Sequence, residues 1–227
     1  MNSSIENPIK IIFCIPGRQF TNHFLTSWTN LLSYCFRNNI QAILCNRYTS
    51  NVYYVRSMCL GGNVLSGVDQ KPWQGKIDYD YMMWIDSDIV FQPEQIMQLL
   101  NHKKDIVTGM YKMNGGTHYA IVKDWNEEQF LKNGTFDFMT EQHVEQEKKN
   151  GQLLDVAYAG FGFMLVKKGV FESIEYPWFK PLTYVLDNGI EEFASEDVSW
   201  CRRISQRGYD IYVDLNCRVG HEKSIIY

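Results

Sequence analysis

Five bulky apolar residues, Tyr81-Met82-Met83-Trp84-Ile85, run straight into Asp86-Ser87-Asp88 before apolar character resumes at Ile89-Val90-Phe91. So short a stretch without polar alternation is the pattern of a strand covered on both faces. Such strands belong to parallel α/β sheets, whose ligands sit beyond the carboxyl ends of the strands. The two aspartates therefore belong at a ligand-binding edge. Residues two apart on a strand point the same way, so both carboxylates are in position to hold one divalent cation. An Asx turn or a helix cap explains the triplet equally well, because Pro93-Glu94 opens a helix just downstream.

The flanking sequence supplies the rest of the sheet. Ile9 to Ile15 reads as a strand closed by Pro16-Gly17, and Phe24, Leu25, Trp28, Leu31, Leu32, Cys35 and Phe36 then fall on one helical face. A second strand, Gln41 to Cys45, leads through Asn46-Arg47 to a helical stretch from Val52 to Leu60, and the acid-tipped strand follows. Strand, helix, strand, helix, strand predicts a parallel sheet. Pro93 to Asn101 is expected to be a helix with Ile96, Leu99 and Leu100 inward, and Asp105 to Gly109 a short strand. Residues 1 to about 110 thus read as a nucleotide-binding type of α/β layer.

Beyond residue 111 the pattern loosens. Tyr119 to Val122 suits a strand, and the charged stretch Glu141 to Gly151 a solvated helix or excursion. Asp155 to Ala159 leads into Gly160-Phe161-Gly162-Phe163 and the strand Met164-Leu165-Val166. Glycines around an aromatic either expose the ring for stacking on a sugar or mark a bulge or close packing. A late helix opens at Ser195-Glu196-Asp197, buries Val198, Cys201 and Ile204, carries Arg202, Arg203 and Arg207 toward its end and stops at Gly208. Its leading acids suit the helix dipole as well as they suit catalysis. Tyr209 to Val213 reads as a strand, and His221 follows in Val219-Gly220-His221-Glu222; a lone histidine becomes a ligand only if something recruits it.

A chain of 227 residues suffices for one large core, and a single domain over 1–227 is expected. The net charge of -4 argues against nucleic acid as a partner. Six cysteines without a CxxC pair, several in apolar segments, read as reduced core residues. The first residues show neither a basic region nor an apolar stretch, and no apolar run reaches membrane-spanning length. A reducing, cytoplasmic setting is therefore expected, in which the acceptor triplets at Asn2 and Asn133 carry no weight. No internal repeat or low-complexity tract is visible.

Taken in order, Pro16-Gly17-Arg18, the Arg56-bearing helix, Trp84-Ile85-Asp86-Ser87-Asp88, Gly160-Phe161-Gly162, Ser195-Glu196-Asp197 and His221 resemble the GT-A glycosyltransferases, which transfer a sugar from a nucleotide diphosphate donor. In texture, from Tyr79 to Asp88, the chain looks most like the small glycosyltransferase domains of chloroviruses, large algal viruses that build their own capsid glycans. The resemblance implies a GT-A (Rossmann-like) α/β fold, with a mostly parallel central sheet flanked by helices and a smaller mixed acceptor-side region over about 111–227. It implies that Asp88 ligates a cation directly, that Asp86 faces the ribose or the metal, and that His221 adds a further ligand. Carboxylates suit Mg2+ or Mn2+, and the imidazole tilts the choice to Mn2+. By position, Pro16, Gly17, Arg18, Asn46, Arg56 and Ser87 would join Asp86 around the nucleotide, and Lys71, Tyr158, Gly160, Phe161 and Glu196 would line the sugar and acceptor side. Asp197, with Glu196 next, would be the general base of an inverting enzyme; a retaining one needs no such base, and the sequence leaves the stereochemistry open. The implied partners are a nucleotide diphosphate sugar, a UDP-sugar by preference, and a glycan or glycoprotein acceptor, in the host cytoplasm if the chain is viral.

Three other readings compete. A haloacid-dehalogenase-type phosphatase would use Asp86 as nucleophile, but that family carries its triplet on the first strand. A sugar nucleotidyltransferase wants a longer Gly-rich loop than Pro16-Gly17-Arg18. A noncatalytic sugar-nucleotide or carbohydrate-binding module would keep the pocket without transfer. The chain is also compatible with being one domain of a longer multidomain protein, since it ends on Ile225-Ile226-Tyr227.

Overall fold

A computed structural model describes residues 7–223; the first residues, the Asn2 triplet and the Ile225-Ile226-Tyr227 ending lie outside the described residues. The first half alternates as the sequence predicts. Strand β1 (Ile9–Pro16), helix α1 (Asn22–Arg37), β2 (Ile40–Arg47), α2 (Val52–Cys59) and β3 (Tyr81–Ile85) are followed by β4 (Ile89–Val90), α3 (Pro93–Asn101) and β5 (Ile106–Met110). Then come β6 (Ile121–Val122), α4 (Glu127–Asn133), α5 (Glu141–Glu147), β7 (Leu153–Val156), β8 (Tyr158–Ala159) and β9 (Phe163–Lys167). The hairpin β10 (Thr183–Val185) and β11 (Glu191–Phe193), helix α6 (Glu196–Ser205), β12 (Ile211–Arg218) and β13 (Gly220–His221) complete the described residues.

Seven strands form one sheet in the order β2-β1-β3-β9-β5-β12-β7. Parallel pairing holds through β2, β1 and β3, and again between β5 and β12. The second half makes the sheet mixed, because β9 inserts antiparallel between β3 and β5 and β7 closes the far edge antiparallel to β12. Alternation divides the core in two. Ile12, Cys14, Met82, Trp84, Met164 and Val166 face one cluster, and Ile11, Phe13, Met83, Ile85, Phe163 and Leu165 face the other. Both faces are covered, which is why β3 carries no polar residue.

Helix α1 corrects one expectation. Phe24, Leu31 and Cys35 are buried and Trp28 half-buried, but Leu25 and Leu32 are exposed, and Phe36 is 89% exposed. A helix packed on a sheet near its edge buries one stripe at intervals of three and four, and those three residues sit one position further round. Helix α4 and the β10–β11 hairpin are among the elements not anticipated from the sequence. Their signals are present nevertheless. The Asn126 side chain accepts from the Gln129 N–H at 2.9 Å and Gly134 takes a left-handed φ of +67°, one at each end of α4. Asn188-Gly189 marks the hairpin turn.

Candidate active site at the carboxyl edge of the sheet

The parallel strands β1, β2 and β3 bring Pro16-Gly17, Asn46-Arg47 and Asp86 to one edge. Asn46 ties this edge together, its amide nitrogen donating to the carbonyls of Ile15 at 2.7 Å and Gly17 at 2.8 Å. Gly17 has a φ of +151°, and a Cβ there would lie 2.7 Å from that of Ser87, so β1 ends hard against the acid turn. Pro16 closes β1, while Arg18 lies exposed over the Tyr48 ring at 4.7 Å.

The aspartates do not sit on one strand. β3 stops at Ile85, and the Ile89 N–H donates to the Asp86 carbonyl at 3.1 Å, so the triplet forms a turn and the alternation of a strand no longer applies. Asp86 faces Arg56, whose two terminal nitrogens donate to its oxygens at 3.1 and 3.3 Å. The same guanidinium donates from Nε to Glu196 at 3.0 Å and lies over Phe161 and Trp84, 5.3 and 5.7 Å from the ring centroids. Burial disfavours the charge on Arg56, but the two carboxylates outweigh it and raise its pKa. Glu196 is raised as well, by burial and then by Asp197, against the opposing pull of Arg56.

Asp88 turns the other way. The two-residue antiparallel ladder between β4 and β13 sets His221 opposite Ile89, and the Glu222 N–H donates to the Asp88 carbonyl at 2.8 Å. His221 Nε2 lies 3.2 Å from Asp88, and its Nδ1–H donates to the Lys112 carbonyl at 2.6 Å. That second bond leaves Nε2 as the ring nitrogen aimed at the acid, the arrangement that orients metal-ligating imidazoles. Lys223 adds a bond of 2.6 Å to Asp88. Burial opposes ionisation of Asp88, yet His221 and Lys223 hold it down to about 2. A cleft of about 520 Å³ opens beside His221 with Lys112, Arg218 and Lys223 on its walls.

Helix α6 delivers the remaining acid. Asp197 accepts from the Tyr158 hydroxyl at 2.8 Å, from the Val198 N–H at 2.8 Å and from the Ser195 hydroxyl, which orients its carboxylate at the head of the helix. Glu196 points inward and is consumed by Arg56. Phe161 departs from the stacking expectation, because it is wholly buried among Trp84, Phe179 and Trp200 and shows no face to a sugar. Its flanking glycines serve close packing instead. A Cβ on Gly162 would lie 2.7 Å from the Tyr111 ring, and one on Gly160 would collide with the Tyr111 hydroxyl. Lys71 is not gathered in; its amine donates to the Glu172 carbonyl at 2.8 Å. Tyr111, Lys112 and Lys223 were missed in the sequence. Tyr111 is edge-on to His221 at 5.2 Å and accepts from the Gly162 N–H at 3.1 Å, and only the Gly-Phe-Gly spacing hinted at a ring there.

Among the described residues, no group of three or more His, Cys, Asp or Glu side chains converges as a metal cluster.

No protein-family model matches the chain, and no curated protein matches it. Among solved structures, GalNAc-T7 determined with UDP, GalNAc and Mn2+ superposes with a TM-score of 0.49 at 12% identity, over 96% of this chain and 38% of that one. Mannosyl-3-phosphoglycerate synthase from Rubrobacter xylanophilus gives 0.42 at 10% identity, covering 96% of this chain and 68% of that one. Glucosyl-3-phosphoglycerate synthase from Mycobacterium tuberculosis, in complex with Mn2+, UDP and glucosyl-3-phosphoglycerate, gives 0.38 at 13% identity, with 97% and 74% covered. The chain thus spans well under half the length of GalNAc-T7. These are distant likenesses, and the chemistry rests on this chain's own residues. No helix among the described residues is long and apolar enough to cross a membrane.

Proposed function

We propose that this chain is a metal-dependent glycosyltransferase that moves a sugar from a nucleotide diphosphate donor, a UDP-sugar by preference, to a glycan acceptor. The observation that carries the reading is the recruitment of His221 to Asp88 at the carboxyl edge of the sheet, beside a cleft walled by lysine and arginine. One carboxylate and one imidazole suit a Mn2+ or Mg2+ ion that takes its remaining ligands from substrate phosphates and water. When bound there, the ion would stabilise charge developing on the departing nucleotide diphosphate.

The chain's own groups then divide the work. Lys223 neutralises Asp88 and is long enough to hand over to a phosphate oxygen. Arg56 fixes Asp86 in place, so the role left to Asp86 is to accept from donor hydroxyls. Asp197, half-buried, is the acid with access to an acceptor, and in an inverting reaction it would take the acceptor proton. The chlorovirus resemblance extends the proposal to a capsid glycoprotein as the acceptor.

The deciding experiment is calorimetric binding of UDP, GDP and dTDP with Mn2+, Mg2+ or chelator, on the wild type and on Asp88→Ala. One nucleotide binding in a manganese-dependent way, and not to the variant, is the expected result; no metal-dependent nucleotide binding removes the proposal. Asp197→Asn is expected to abolish transfer while leaving nucleotide affinity nearly intact, and comparable loss of both would count against a base role.

A further inference from the structure

Helix α2 supplies Arg56 to the acid cluster, and a neighbouring face of the same helix opens on a second cleft. This cleft holds about 440 Å³, within the roughly 300–1,000 Å³ of small-molecule sites. Its walls are rings: Tyr53 and Tyr54 from the first turn of α2, Phe193 from β11, and Tyr176. Tyr54 and Phe193 are 60% and 57% exposed, an apolar area that a monomer gains nothing by showing to water unless something covers it. The wall is built, not incidental. A Cβ on Gly62 would lie 2.9 Å from the Tyr176 ring, so only a glycine seats that ring over the end of α2.

The polar groups are equally specific. Ser57 lines the cleft at 5% exposure, and its hydroxyl has no hydrogen-bond partner among the described residues. Lys180 stands at the rim. Apolar ring faces beside a few hydroxyl and amine groups match a molecule with one C–H face and an edge of hydroxyls. A purely apolar ligand would leave Ser57 unpaired, and a nucleotide diphosphate would find one lysine where it needs several cations.

One wall of the cleft is tied to the segment that leads into the acid cluster. The Tyr53 hydroxyl donates to the Ala194 carbonyl at 2.9 Å, directly ahead of Ser195-Glu196-Asp197. Burial raises the Tyr53 pKa, and Glu196 and Asp197 add to the rise, so the phenol lies within their field.

We infer that this aromatic cleft is a saccharide site, which holds the acceptor glycan with Tyr54 and Phe193 as stacking platforms and Ser57 as a hydroxyl partner. As an acceptor site it rests on the glycosyltransferase reading; as a saccharide site it stands on the rings and on Ser57 alone. The test is saturation-transfer NMR on the full chain with methyl glycosides of glucose, galactose, mannose, rhamnose and N-acetylglucosamine as probes. Manganese-dependent UDP binding is measured on the same samples. At least one glycoside is expected to receive saturation, with affinity reduced about fivefold or more in Tyr54→Ala and Phe193→Ala. Phe36→Ala, on the exposed side of α1, is expected to change nothing. No saturation of any probe, or equal saturation in both cleft variants, overturns the inference. UDP binding with no glycoside binding sinks the cleft alone, whereas glycoside binding that depends on Phe193 without UDP binding upholds the cleft and sinks the nucleotide-sugar reading.

Discussion

Arg56 is buried with its charge intact because two carboxylates and two ring faces replace the water it has lost. Removing one partner from such a group costs more than removing all of them, since an uncompensated buried charge remains. Arg56→Met, which leaves Asp86 and Glu196 facing each other, is therefore expected to destabilise the fold by about 3–5 kcal/mol in urea unfolding. Adding Asp86→Asn and Glu196→Gln to that variant should restore most of the loss. If the triple variant is no more stable than Arg56→Met, the clamp is not what the guanidinium contributes.

Among the elements, α1 offers the sharpest contrast between neighbours. Leu31 is buried against the sheet and Leu32 is exposed. Leu31→Ala should cost about 2–5 kcal/mol and Leu32→Ala stay within about 0.5 kcal/mol, read from urea midpoints at constant slope. Similar losses at both would place the apolar stripe wrongly. Elements of this length were legible in the sequence because apolar periodicity accumulates over eight or more residues, as in β1, α1 and α2. Much of the second half was not, because β8, β10, β11 and β13 are two or three residues each and show no period at all. The site divides the same way. Arg56 and Asp197 stand on the longer helices α2 and α6, and Asp86 and Asp88 follow the unbroken apolar run of β3. The link from His221 to Asp88 is made by a ladder too short to announce itself, and the divergence of the two aspartates by a turn where strand alternation had been assumed.

At the scale of the whole molecule, one buried acid joins α3 to β12 and to the approach of β7. Asp214, fully buried, lies 2.7 Å from His102 Nε2 and accepts from Gln98 and Gln152 and from the Asn216 N–H. Burial alone would raise its pKa, but these partners outweigh it and the net shift is downward. A carboxyl lowered in the folded state contributes stability above its unfolded pKa of about 3.9, and that contribution is lost as pH falls through the folded value. Asp214→Asn should accordingly flatten the acid limb of a stability-against-pH curve below about pH 4 while lowering stability at neutrality. An unchanged acid limb would assign acid unfolding to other carboxylates. The ladder between β4 and β13 has a different kind of consequence, one of order in time. During synthesis the parallel strands, α2 and the aspartates leave the ribosome long before Gly220 and His221 do. A chain that has not yet released Gly220 and His221 has no imidazole to set beside Asp88, so that pairing forms only after β1, β2 and β3 have been made.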